Sequence, residues 1–116
     1  FHKTKKFVDL LIEGDKQKCI KYIYDLDQAG YDLEEFTKSV INYLRKIAIV
    51  QISNDLLDIF QDELTKEEQE NLIQEARGIN PQQLQKLITA FLQSQRLFNY
   101  TPISSLPLEL VILEHL

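Results

Sequence analysis

The sequence predicts an all-α fold, a compact bundle of five to six mostly antiparallel helices. Three observations lead there. Apolar residues recur at intervals of three and four in one segment after another, the period of a helix with a buried stripe. Only three glycines and three prolines are present, and they fall between those segments, where they stop and start helices. No stretch alternates apolar and polar residues as a half-buried strand does. Short links make sequential helices antiparallel neighbours.

The spacing predicts a first helix from about Thr4 to Glu13, with Phe7, Leu10 and Leu11 on one face. Gly14 suits a left-handed cap, and Asp15 can then cap a second helix from Lys16 to about Ala29. Its stripe is Cys19, Tyr22, Ile23 and Leu26, and Gly30 ends it in the same way. Asp32, three residues before Glu35, opens a long third helix through Leu33, Phe36, Val40, Leu44 and Ile47 to about Ile52. Its last turns are apolar nearly all round. Leu56, Leu57, Ile59 and Phe60 suggest a short helical piece. Thr65 and Glu68 form a capping box for a polar surface helix ending near Arg77. Asn80-Pro81 pairs an N-cap with proline at the first helical position. Leu84, Leu87, Ile88, Phe91 and Phe98 then share one face. A closing helix begins near Pro107 and carries Leu108, Leu110, Val111, Ile112, Leu113 and Leu116.

A length of 116 residues matches one domain, residues 1–116, large enough for a real core. The chain holds no Met and is expected to be a piece of something longer. No apolar run approaches the ~20 residues of a membrane span, and the first residues lack a signal-peptide core. The single Cys19 can form neither an internal disulfide nor a zinc site alone. A cytoplasmic origin is expected. The net charge of −5 argues against a dedicated nucleic-acid binder. Lys3, Lys5, Lys6, Lys16, Lys18 and Lys21 gather near the start, where a solvated face is the expectation. No strong direct DNA binding and no membrane partner follow.

Catalytic groups do not assemble in this sequence. The glycines are isolated, so no phosphate loop forms. His2 and His115 sit at opposite ends, which makes no metal cluster. Cys19 lies on an apolar stripe, where a structural thiol is expected. Asp25 and Asp27, two apart, point to different helical faces.

Four segments carry a resemblance. They are Phe7-Val8-Asp9-Leu10-Leu11-Ile12-Glu13-Gly14-Asp15, Leu26-Asp27-Gln28-Ala29-Gly30-Tyr31-Asp32, Tyr43-Leu44-Arg45-Lys46-Ile47-Ala48 and Leu106-Pro107-Leu108-Glu109-Leu110-Val111-Ile112-Leu113. In order and spacing they resemble the third, collar domain of bacterial DNA polymerase III clamp-loader gamma/tau subunits. Ile103-Ser104-Ser105 stands where that family often has an arginine, and a delta prime subunit with a related collar stays open.

The resemblance implies an oligomerisation domain with no activity of its own, packed with its own kind, delta and delta prime into a ring. That ring holds ATPase domains, which load a sliding clamp onto primed DNA. It implies a preceding ATPase domain that uses ATP and magnesium, and in some members a bound peptide from the subunit that contacts single-strand-binding protein. The alternative is an unrelated helical adaptor that binds a partner peptide or nucleic acid.

The expected interface lies on the helices with more apolar surface than one core can use. Its candidates are Ile49, Val50, Ile52, Leu97, Leu108, Leu110, Ile112 and Leu113. Glu109 is expected to complement the closing helix's dipole, with Arg96 and Arg45 as possible ion partners.

Overall fold

The computed structural model describes residues 2–116. Helix α1 spans His2–Glu13, α2 Lys16–Gln28, α3 Leu33–Ile52, α4 Lys66–Gly78, α5 Pro81–Leu97 and α6 Leu106–His115, with a 3-10 helix at Asn54–Phe60 between α3 and α4. The fold is all-α, with no strand among the described residues, and its helix count of seven exceeds the expected five to six by the 3-10 piece.

The starts of α2, α3, α4 and α5 are fixed locally by side-chain caps. Asp15 accepts the Lys18 N–H, Asp32 those of Glu34 and Glu35, and Asn80 those of Gln82 and Gln83. Thr65 and Glu68 close a reciprocal capping box. The stops of α1 and α2 are equally explicit. Gly14 and Gly30 adopt φ of 73° and 85°, the left-handed region that favours glycine. At the end of α2 the Gly30 N–H bonds to Asp27 O and the Tyr31 N–H to Leu26 O, both at 3.1 Å, which is a Schellman motif. A Cβ at Gly30 would meet nothing within 4 Å, so backbone conformation alone opposes substitution. Gly30→Ala is therefore expected to cost ~1 kcal/mol, measured by urea unfolding. An unchanged midpoint would show that the motif relaxes freely.

Helix α3 is the hub. It packs against α1, α4, α5 and the 3-10 helix, while α6 packs against α5 and α2. One continuous core runs through all of them. Phe7 on α1 sits at its centre, fully buried. Its ring stacks on Tyr22 at 5.8 Å and meets Phe36 and Phe91 edge-on at 5.5 and 6.3 Å, so one side chain ties together α1, α2, α3 and α5. Polar α4 buries only Leu72 among its apolar side chains, as expected of a surface helix. Its far end is held by the Gln51 amide of α3, which donates to Ala76 O at 3.1 Å and Ile79 O at 2.8 Å. Those are orphan carbonyls of the helix terminus and the residue just beyond it.

Candidate partner interface

The core leaves two apolar surfaces open. The first is a groove of about 600 Å³ between α3 and α5. Ile41, Ala48, Ile49 and Ile52 form one wall, and Pro81, Ile88 and Leu92 the other. It exists because α3 is apolar on more sides than its neighbours cover. Ile47 and Val50 turn inward to full burial, while Ile49 is half-buried and Ile52 is 78% exposed. Arg45 is the one charged residue lining the groove. Its guanidinium lies 5.5 Å from the Phe60 ring and 3.5 Å from Asn42 Oδ1. Among the described residues it has no carboxylate partner.

The second surface is the outer face of α6. Leu108, Val111 and Ile112 share one side of this helix and are buried, packed toward α5 and α2. Leu106, Leu110 and Leu113 recur at the i, i+4, i+7 spacing of the opposite side. Leu106 and Leu110 are half-buried, and Leu113 is 60% exposed. Leu106 and Leu110 also line a cleft of about 290 Å³ with Leu97 and Tyr100. Tyr100 and Ile103 add exposed apolar surface beside it.

The expected interface residues thus separate into two groups. Ile49, Ile52, Leu97, Leu110 and Leu113 present surface to solvent. Val50, Leu108 and Ile112 do not, with exposures of 2%, 0% and 0%, so as interface candidates they are corrected to core. An apolar helix can be split between core and surface only once its neighbours are known, and the α2–α6 contact joins residues far apart in sequence. The expected ion pairs are corrected as well. Glu109 accepts a hydrogen bond from the Ser105 hydroxyl at 3.1 Å, and among the described residues no ion pair joins it to Arg96 or Arg45. Glu109 does lie in the first turn of α6, and Arg96 in the last turn of α5, where each complements a helix dipole.

Comparison with protein-family models matches residues 2–115 to DNA polymerase III subunits gamma and tau domain III. The chain belongs to this family. No curated protein matches it.

The landmarks that resemble gamma/tau domain III have plain structural roles here. Glu13-Gly14-Asp15 is the stop of α1 fused to the cap of α2. Gly30-Tyr31-Asp32 is the Schellman turn fused to the cap of α3. Ser104-Ser105 anchors the entry to α6 through neutral donors. The Ser104 hydroxyl donates to Asp27 Oδ1 of α2 at 2.9 Å, and that of Ser105 donates to Glu109.

Half of the lysines at the start of this domain pair with carboxylates of its own helices. Lys5 pairs with Asp9 at 2.8 Å and Glu75 at 3.2 Å. Lys18 pairs with Asp15 and Lys21 with Asp25, while Lys3 lies 4.9 Å from the Tyr31 ring. Lys3, Lys6 and Lys16 are left without a carboxylate partner among the described residues, few charges to displace counterions from a phosphate backbone on a chain of net charge −5. DNA retention by the 116-residue chain is expected to vanish at physiological salt in a filter-binding titration. Retention that persists there would contradict this account.

Cys19 and Glu75 are buried groups whose protonation the fold shifts. Cys19 is fully buried, and burial, with Asp15 and Glu13 nearby, pushes its thiol up to about 11, so it stays protonated and unreactive. Glu75 of α4 is a buried carboxyl that sequence reasoning missed, with a side chain 9% exposed. Burial, then the Asp9 carboxylate, raises it to about 7 against the opposing Tyr43 hydroxyl and Lys5 ammonium. The available signal was its place on the Leu72–Ala76 edge of a helix that otherwise reads as solvated. Among the described residues no group of three His, Cys, Asp or Glu side chains could hold a metal ion, and no helix is long and apolar enough to cross a membrane.

Proposed function

We propose that this chain is the collar of a clamp-loader gamma/tau subunit, an oligomerisation domain with no reaction of its own. The observation that carries this reading is the pair of open apolar surfaces on a domain whose core is otherwise complete. Folding alone has no use for the α3/α5 groove or the outer leucines of α6, and leaving them wet forgoes burial that a partner would supply. Membership of the gamma/tau domain III family supports the same reading. Its partners are then further copies of itself together with delta and delta prime, and a peptide of the subunit that contacts single-strand-binding protein. ATP and magnesium act in the ATPase domain of the whole subunit, and the collar holds those domains in register while the sliding clamp is opened and placed on primed DNA.

Sedimentation velocity tests it directly. The 116-residue chain is expected to self-associate weakly, in the micromolar range or above, because a single collar contact is a small interface. Mixed with delta and delta prime it should sediment as a heavier complex. A chain that stays monomeric at high concentration and joins neither subunit would overturn the assembly role.

A further inference from the structure

The two open surfaces complement each other and lie on different sides of the molecule. On α5 the groove is formed by Ile88 and Leu92. The α6 side of the same helix is marked by Ala90, which shares a cleft with His115, and by Leu97, which shares one with Leu110. At 3.6 residues per turn those two sets stand about half a turn apart. A single copy cannot bring its own α6 face into its own groove.

We propose that the Leu106, Leu110, Leu113 face of α6 in one copy of this chain docks into the α3/α5 groove of a second copy. This rests on the assembly reading above and adds the surfaces and the direction of the contact. Shape and charge name the occupant. A groove between two helices accepts a helix that offers apolar anchors at i, i+4 and i+7, and α6 carries leucines at that spacing on its open side. Among the described residues the groove's one charged side chain is Arg45, which has no carboxylate partner there. The leucine stripe is flanked by Glu109 and Glu114. Glu109 is engaged by Ser105, whereas Glu114 is 66% exposed and, among the described residues, meets only its neighbour His115, at 3.9 Å. Glu114 is therefore the carboxylate available to meet Arg45. Because groove and stripe are different patches, the contact is heterologous. Two joined copies still expose one groove and one stripe, so association continues in one direction instead of stopping at a symmetric dimer.

The experiment uses two variants at exposed sites. Leu92, 49% exposed, is changed to Glu to close the groove to an acidic helix. Leu113, 60% exposed, is changed to Asp to disable the stripe. Circular dichroism confirms that each is folded, and sedimentation reads association. The parent chain is expected to grow in mass with concentration, and each variant alone to stay monomeric. The equimolar mixture should form a one-to-one dimer that grows no further, since one intact groove meets one intact stripe. Arg45→Glu and Glu114→Arg should each weaken association severalfold, and mixing them should restore it. A parent that associates while the mixture stays monomeric, or a variant that associates as the parent does, overturns this contact and leaves the assembly role standing. A parent that joins delta and delta prime but never itself also overturns it. A parent that joins nothing removes both.

Discussion

Leu108→Asp is expected to unfold the domain, whereas Leu113→Asp, five positions along the same helix, should leave it folded. Leu108 is fully buried between α6 and its neighbours, and Leu113 is 60% exposed. Removing the buried leucine forfeits roughly 2–5 kcal/mol of packing. An unpaired carboxylate in its place adds several kcal/mol more, or a forced protonation. Against a total stability of about 5–15 kcal/mol, that leaves little or nothing. At position 113 the charge stays in water, where surface changes are usually within about 0.5 kcal/mol. In the full-length subunit, Leu113→Asp should then weaken assembly with the fold intact. Thermal melts followed by circular dichroism separate the two outcomes. If both variants unfold, α6 is a core helix throughout and the interface lies elsewhere.

That contrast marks the boundary of what sequence could tell. Features set by a few adjacent residues were legible. The Thr65–Glu68 box, the Asn80-Pro81 start and the Gly14 and Gly30 stops all involve partners within six residues of each other, and all are present. The two surfaces were only half legible. Ile49 and Ile52 were picked out because α3 is apolar past the needs of one stripe. Their groove partner Ile88 read as ordinary core, and Leu92 carried no signal at all. Periodicity gives the angle of a residue around its own helix but not which neighbour occupies that angle. Leu108, Val111 and Ile112 therefore could not be told from Leu106, Leu110 and Leu113 before α2 and α5 were in place. Glu75 was hidden for a related reason. The helix carrying it is polar, and only the arrival of Tyr43 from α3 and of Lys5 and Asp9 from α1 encloses the carboxyl.

This enclosure makes the domain's stability depend on pH in a direction opposite to the usual acidic side chain. Glu75 titrates near 7 in the folded state and from 4.5 when exposed. Below pH 4.5 both states hold the proton and the group contributes no difference. Between 4.5 and 7 the folded state keeps a proton that the unfolded chain has released, so stability falls as pH rises. Above about 7 both states have lost it, and the cost of a buried carboxylate remains in full. Lys5 at 3.2 Å offsets part of that cost but does not reverse it. Glu75→Gln removes the titration while keeping the shape, and Lys5 retains Asp9 at 2.8 Å. The variant should match the parent at pH 4 and exceed it at pH 8 by on the order of 2 kcal/mol. Urea unfolding of both proteins at each pH gives the difference between them, from which carboxylates common to both cancel. A parent that gains on the variant as pH rises would mean that the Lys5 ion pair outweighs burial, and that Glu75 clasps α4 to α1 as a carboxylate.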